Sequence, residues 1–552
     1  MADRESRGER GAVAAGHRAE VEAGLAMLAQ GGNAVDAVVA GAFCACVVEP
    51  NNAGLAGYGH LTAWLPQERA FLTVDHGPRA PAAAHERLFP LSERSLLDRE
   101  VFPTVEGDVN AIGGLATGTP GAVPGLCAAH ARAGRLPLAV VLEPAIAAAD
   151  AGVPIDWHLG LTILQRLHEI RLSPSAAAVL LVDGDPPSSH DDWGRGARLD
   201  TSALADVLRA IAADGAAAFA DPALAGHVER AVAAQGGILT AADIAAYVPR
   251  IVLEQPTRYG GFALATSEDD CGHELFAVLE RLGVREHEPL SADALHLVAE
   301  AFGHVLADTL TWAGDPEAAA EVSAVLRSGR FADARAAAIR PDRAAPRPVA
   351  AGSLEGLDDP GTGAGGTSGT TQVAAIDHEG NAAVVITTIG RDFGSLVHVP
   401  ELGLFLNTAM ANFDPRPGRT NSIAPGRMPL FGVPAVVAVE GEDAFLACGG
   451  SGGYRITSGV VHATVNVLDH DLSAAEAVAA PRVWCQGDET YVDERLPEAV
   501  REALAERGHA VVVEELTPAY EPFARVSLVR RHPDGSLEAA SDPPWHGAAG
   551  AI

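Results

Sequence analysis

Thr370-Thr-Gln-Val-Ala-Ala-Ile-Asp377, His378-Glu-Gly380 and Asn381-Ala-Ala-Val-Val-Ile-Thr-Thr388 follow one another without interruption. Two apolar runs rich in β-branched residues flank a short polar turn that ends in glycine, which predicts a β-hairpin. If Asp377 pairs with Asn381, the ladder sets Thr370 directly across from Thr388, with two hydroxyls side by side at the open end. A threonine hydroxyl is a weak nucleophile and needs an adjacent base. An N-terminal threonine carries one in its own α-amine, whose pKa is about 7.7 to 8.0. Cleavage between Gly369 and Thr370 would create that amine. On its own the hairpin is better read as an ordinary strand pair with two surface threonines.

The text before the hairpin supports a cut there. From Pro341 to Gly369 it is rich in Pro, Gly, Ala and Asp and ends Gly361-Thr-Gly-Ala-Gly-Gly-Thr-Ser-Gly369, which reads as an exposed flexible linker. The chain thus divides into a region 1–369, with its linker at about 341–369, and a region 370–552 that starts at the threonine. Upstream, Asn33 with Asp36 three residues on predicts a capping box, opening a helix from Ala34 to about Val48 that is apolar nearly all round and therefore buried. Strands are expected over 61–74, and Ala-rich helices over 117–221, 224–234 and 292–340. Downstream, strands are expected at 371–376, 382–388, 403–407, 434–439 and 443–448, with a helix at 454–468. Strands bracketed by helical runs predict a sheet core between helical layers, an α+β architecture.

Composition narrows the chemistry. The 552 residues carry a net charge of −33, which disfavours nucleic acid and anionic membrane as partners. No lysine occurs in the sequence, which excludes a pyridoxal Schiff base, a Walker A lysine and a Ser-Lys dyad. Six cysteines are scattered without C-x-x-C or zinc-ligand spacing, so reduced buried thiols in a cytoplasmic protein are expected. The charged first residues are followed by no apolar signal core, and no long uncharged apolar run predicts a membrane span.

A second motif is Cys448-Gly-Gly-Ser-Gly-Gly-Tyr-Arg455, placed between a strand and a helix. Consecutive glycines let backbone N–H groups converge at a helix start, which suits an oxyanion. The same residues match G-x-S-x-G, with Ser451 as an elbow nucleophile and Asp469, His470, His509, Asp534 and His546 downstream to serve it. A Gly-rich strand-to-helix turn without catalytic role fits them as well.

Taken with the rest of the chain, these motifs resemble the γ-glutamyltransferase family. Gln30-Gly-Gly-Asn-Ala-Val-Asp-Ala37, Val48-Glu-Pro50, Gly54-Leu-Ala-Gly-Tyr-Gly59 and Gly118-Thr-Pro-Gly-Ala-Val-Pro-Gly125 fall in family order. So do Phe219, Gly236-Gly237 with Thr240, Asp243 and Tyr247, and Gly314-Asp-Pro316. In the second region the same holds for Gly380-Asn381, Phe393-Gly394, Asn421-Ser-Ile-Ala-Pro-Gly426, Gly452-Gly-Tyr-Arg455, Ala479-Ala-Pro-Arg482 and Ala540-Ser-Asp-Pro543. The resemblance implies a four-layer αββα sandwich of the N-terminal-nucleophile type, self-cleaved between Gly369 and Thr370 into two subunits that stay together. It implies Thr370 as nucleophile, Thr388 as its supporting threonine, Gly452 and Gly453 as the oxyanion pair, and no metal or organic cofactor. Ser451 then becomes structural.

Several positions depart from the family pattern. Gln372 and Ala374 replace its His and Ser after the nucleophile, and Gly77 stands where an arginine is expected, with Arg79 two residues on. Gly390, Ala409, Asn412 and the pair Phe431-Gly432 replace residues that grip the α-amino and α-carboxylate groups of a γ-glutamyl substrate. The implied enzyme is an amidohydrolase or acyltransferase acting on a small-molecule amide or γ-glutamyl-like substrate, with glutathione a poor one and hydrolysis favoured over transfer. Arg79, Arg391 and Asn412 are the candidate substrate contacts, although Arg391 fits a solvated loop arginine as well. A non-catalytic member that keeps the fold for binding remains the alternative.

Overall fold

The computed structural model describes residues 4–92, 102–187, 197–267, 271–354, 369–517, 522–543 and 546–552. Two seven-stranded sheets form its centre. One runs in the order Ala548–Ala551, Gly11–Ala15, Thr371–Asp377, Ala382–Thr388, Tyr58–Leu65, Ala70–His76, Arg250–Glu254. The other runs Glu5–Gly8, Leu537–Ser541, Arg525–Arg531, Asp443–Ser451, Val436–Glu440, Phe262–Ala265, Thr257–Tyr259. Neighbouring strands in both are antiparallel.

The hairpin sits inside this stack. Val373, Ala375, Ala383 and Val385 pack among residues of the helices Arg18–Ala29 and Ala34–Val48. Ala374, Ile376, Val384 and Ile386 pack on the opposite side, with Val437, Leu446 and Leu528 of the second sheet. Alternate residues of a strand face opposite ways, so an apolar residue at nearly every position means that both faces are covered. The outer side of the second sheet is covered by Gly272–Leu282, Arg455–His470 and Ala474–Ala479, with Ala292–Trp312 behind. Helix, sheet, sheet, helix is the four-layer order. The threonines are therefore not surface residues of an ordinary hairpin: every residue of both strands is buried.

Two apolar faces leave the hydrophobic pattern unable to choose the register, because a slip by one residue exchanges one greasy face for another. Polar pins choose it. The Asp377 carboxylate accepts from Glu379 N at 2.9 Å, Asn381 N at 3.0 Å, Asn381 Nδ2 at 2.8 Å and Ala34 N at 2.9 Å. The last contact joins the turn to the first residue of the helix Ala34–Val48, whose Asn33/Asp36 capping box forms as the spacing predicts. On the inner face Gln372 Nε2 donates to Ser527 Oγ across the sheets at 2.9 Å. The resulting register pairs Thr371 with Thr387 and Gln372 with Ile386. Asp377→Ala leaves several buried donors without an acceptor and should lower stability by about 2–4 kcal/mol, read as a shift of the chemical-denaturation midpoint at constant slope.

The linker reading needs correction over its first part. Residues 341–354 are partly exposed loop but are tied down at several points: Ala345 N donates to Glu300 Oε2 at 2.9 Å, Arg347 pairs with Glu300, and Trp312 Nε1 donates to Gly352 O at 2.9 Å. Buried acids on the helix Ala292–Trp312 need partners, and this segment supplies them. Residues 355–368, the Gly-rich remainder, lie outside the described residues. Among the described residues no helix is long and apolar enough to cross a membrane.

Candidate active site

Thr370 is 4 % exposed and Thr388 is 1 % exposed, at the end of the hairpin that opens toward the space between the sheets. In this uncut chain the Thr370 hydroxyl donates to the carbonyl oxygen of Gly369 at 2.6 Å and lies 3.3 Å from Thr388 Oγ1. The Thr388 hydroxyl donates to the same carbonyl and accepts from Gly390 N at 2.8 Å. Two hydroxyls therefore converge on the peptide bond that precedes Thr370. Gly369 has φ +107°, and a Cβ there would lie 2.5 Å from Gly390 O and 2.9 Å from Arg391 C. Only glycine fits that conformation and that space.

A cleft opens beside the threonines, lined by Tyr58, Asn412, Leu430, Phe431, Val433, Gly453 and Tyr454 among others. Asn412 Nδ2 donates to the Tyr58 hydroxyl at 3.0 Å, and Phe431 meets the Tyr58 ring edge-on at 5.2 Å. Burial pushes the Tyr58 and Tyr454 phenols well above their ordinary range, so both are neutral. Gly452 and Gly453, with φ +129° and +65°, turn the chain from Asp443–Ser451 into the helix Arg455–His470. Gly453 lines the cleft with Thr370, and Gly452 is one residue behind it.

Of the three residues expected to meet substrate, Asn412 lines the cleft, and Arg79 and Arg391 do not. The Arg79 guanidinium donates to Gly426 O at 3.1 Å and lies 3.7 Å from Glu317. The Arg391 backbone borders Gly369, and its charge acts on Asp392 and Arg166. At Gly77 a Cβ would come 2.3 Å from Met428 Cε, so the space beside that position is already filled.

Sequence reasoning missed what lies behind the nucleophile. Arg525, in the strand paired with Asp443–Ser451, donates from Nε to Ser451 Oγ at 2.9 Å and from a terminal nitrogen to Thr370 O at 3.4 Å. Two buried acids, Glu20 and Glu49, face the same region. Burial and the Glu49 charge push the Glu20 carboxyl well up. Burial also raises Glu49, but the neighbouring Glu20 carboxyl and the Arg525 cation outweigh it and hold Glu49 down. Burial thus keeps Glu20 protonated, while the nearby Arg525 cation favours an ionised Glu49. The available signal was an arginine at the apolar start of a strand (Phe523-Ala-Arg-Val-Ser-Leu528) and a glutamate at the end of an apolar helix.

The elbow reading of Ser451 is not sustained. Its hydroxyl is 1 % exposed and accepts from Arg525. Four of the five residues proposed to serve it are engaged elsewhere: Asp469 with the Tyr259 hydroxyl, His509 with His296 and Thr490, Asp534 with Ser536, and His546 stacked on Trp157.

Two stacked sheets between helical layers, with a threonine beginning an inner strand, define an N-terminal-nucleophile hydrolase. The chain belongs to the γ-glutamyltranspeptidase family, whose model, described as Gamma-glutamyltranspeptidase, matches residues 21–552. It is 34 % identical to the Acylase ACY 1 proenzyme of Pseudomonas sp. (strain SE83) over 97 % of this chain and 92 % of that protein. It is 27 % identical to the glutathione hydrolase proenzyme of Escherichia coli (strain K12), over 97 % of this chain and 91 % of that one. In fold it is similar to the cephalosporin acylase from Bacillus halodurans, with TM-score 0.83 and 24 % identity over 99 % of this chain and 97 % of that chain. The chain is accordingly a hydrolase of this family, and the non-catalytic alternative finds no support.

Proposed function

We propose that the chain is cut between Gly369 and Thr370 and that Thr370 then hydrolyses small-molecule amides through an acyl-enzyme. The convergence of the Thr370 and Thr388 hydroxyls on the Gly369 carbonyl carries this reading. In the cut, Thr370 Oγ1 attacks the Gly369 carbonyl carbon and its proton passes to the peptide nitrogen as the C–N bond breaks. An ester remains, and water opens it to a Gly369 carboxylate and a Thr370 that bears a free hydroxyl and α-amine. The Thr388 hydroxyl donates to the oxygen on which charge builds.

In turnover the freed amine takes the proton from the Thr370 hydroxyl, and the oxygen attacks the substrate carbonyl. The Gly452 and Gly453 N–H groups hold the oxyanion, the substrate amine leaves with the proton, and water releases the acid. The two parts stay joined after the cut. Thr371–Asp377 pairs with Gly11–Ala15, and Ala382–Thr388 with Tyr58–Leu65, so the first region holds the hairpin on both sides. The same reading places the enzyme in the cytoplasm, where six buried, unpaired thiols stay reduced.

A denaturing gel with N-terminal sequencing tests the cut: two fragments, the smaller beginning at Thr370, are expected, and a chain that stays whole for days contradicts it. Gly369→Ala should slow the cut by about 100-fold, because a displacement of about 1 Å at the reacting atoms has that effect. Time-resolved gels of freshly made protein measure it.

A further inference from the structure

We propose that the acyl group taken by Thr370 is uncharged: an aliphatic or aryl acyl chain whose far end bears neither carboxylate nor ammonium. This deepens the function above and rests on Thr370 as nucleophile. The cleft wall is made of Tyr58, Leu430, Phe431, Val433, Tyr454 and Ile456, and its polar side chains besides the phenols are Thr370, Thr388 and Asn412. Among the described residues no Asp, Glu, Arg or His lines it.

The amide of Asn412 is engaged by the Tyr58 hydroxyl at 3.0 Å. The wall is also closed where a polar residue would need room. A Cβ at Gly390 would lie 2.5 Å from Thr408 Cγ2 and 3.1 Å from the Tyr58 hydroxyl. Phe431 is wedged edge-on between Tyr58 at 5.2 Å and His60 at 5.7 Å, and burial holds His60 neutral by lowering it to about 3. A carboxylate or ammonium entering this cleft would leave water with no opposite charge to meet it, whereas an apolar chain loses nothing and gains contact.

The test uses the mature protein and a panel of 4-nitroanilides of equal leaving group: butanoyl and phenylacetyl against glutaryl and γ-glutamyl. The neutral pair should exceed the charged pair in kcat/KM by about 100-fold. Phe431→Arg should narrow or reverse that ratio by favouring glutaryl anilide, and Phe431→Leu should keep it. Charged anilides that match or exceed neutral ones overturn the assignment while leaving Thr370 in place, provided both series vanish in Thr370→Ala. Release from neither series overturns it as well. Neutral turnover that survives Thr370→Ala overturns the nucleophile itself.

Discussion

Thr370→Ala protein should run as one uncut chain on a denaturing gel and release nothing from an acyl anilide. The substitution removes the one oxygen proposed to attack Gly369 and, in turnover, the substrate. Neither step has a substitute nearby: the Thr388 hydroxyl donates to the Gly369 carbonyl oxygen, and Ser451 is locked on Arg525. Loss of a covalent nucleophile should lower kcat/KM by about 10⁴-fold or more. Stability should fall by only about 1 kcal/mol, since one modest hydrogen bond is lost from a strand whose ladder is intact. The contrast between a nearly unchanged melting curve and absent activity separates chemistry from folding. Thr370→Ser keeps the oxygen and the α-amine, and should be cut and active at a reduced rate.

Arg525→Leu is expected to fail differently. Arg525 is 6 % exposed, so its removal leaves the Glu49 carboxylate buried with its cation gone. Unpairing a buried charge costs about 3–5 kcal/mol. The link from the second sheet to Thr370 O is lost as well, and the cut should slow by about 100-fold as the hydroxyls drift from the Gly369 carbonyl. Adding Glu49→Gln removes the stranded charge and should recover most of the stability but not the rate. Arg525→Lys should likewise restore charge without the fork that reaches Ser451 and Thr370 together. A stable Arg525→Leu protein that is cut at the normal rate would show that the guanidinium does not position the nucleophile.

Much of the centre was legible in the sequence because it is encoded locally. The turn Asp377–Asn381 sets the hairpin, and the hairpin sets Thr370 opposite Thr388; each step spans a few residues. The buried helix Ala34–Val48 announced itself by its cap and its apolar surface. What escaped was encoded at long range. Nothing in the text says that Tyr58, Asn412, Phe431 and Tyr454 meet around one cleft, since strand, loop and helix start converge there from distant parts of the chain. Arg525 looked like one more strand arginine beside Arg530 and Arg531. Residues 341–354 looked like linker because proline and alanine hide the fact that Arg347 answers a buried Glu300. Arg79 and Arg391 were chosen for charge and proximity in sequence, and the fold spends both guanidinium groups outside the cleft wall.

The most direct measurement is peptide mass spectrometry of mature protein quenched during turnover of a slow acyl anilide. Since the chain has no lysine, trypsin cuts at arginine alone and releases Thr370–Arg391 as one peptide. The account predicts that this peptide begins at Thr370 and carries the acyl group on that residue. An acyl group found elsewhere, or turnover by a chain in which Gly369 and Thr370 are still joined, would contradict it.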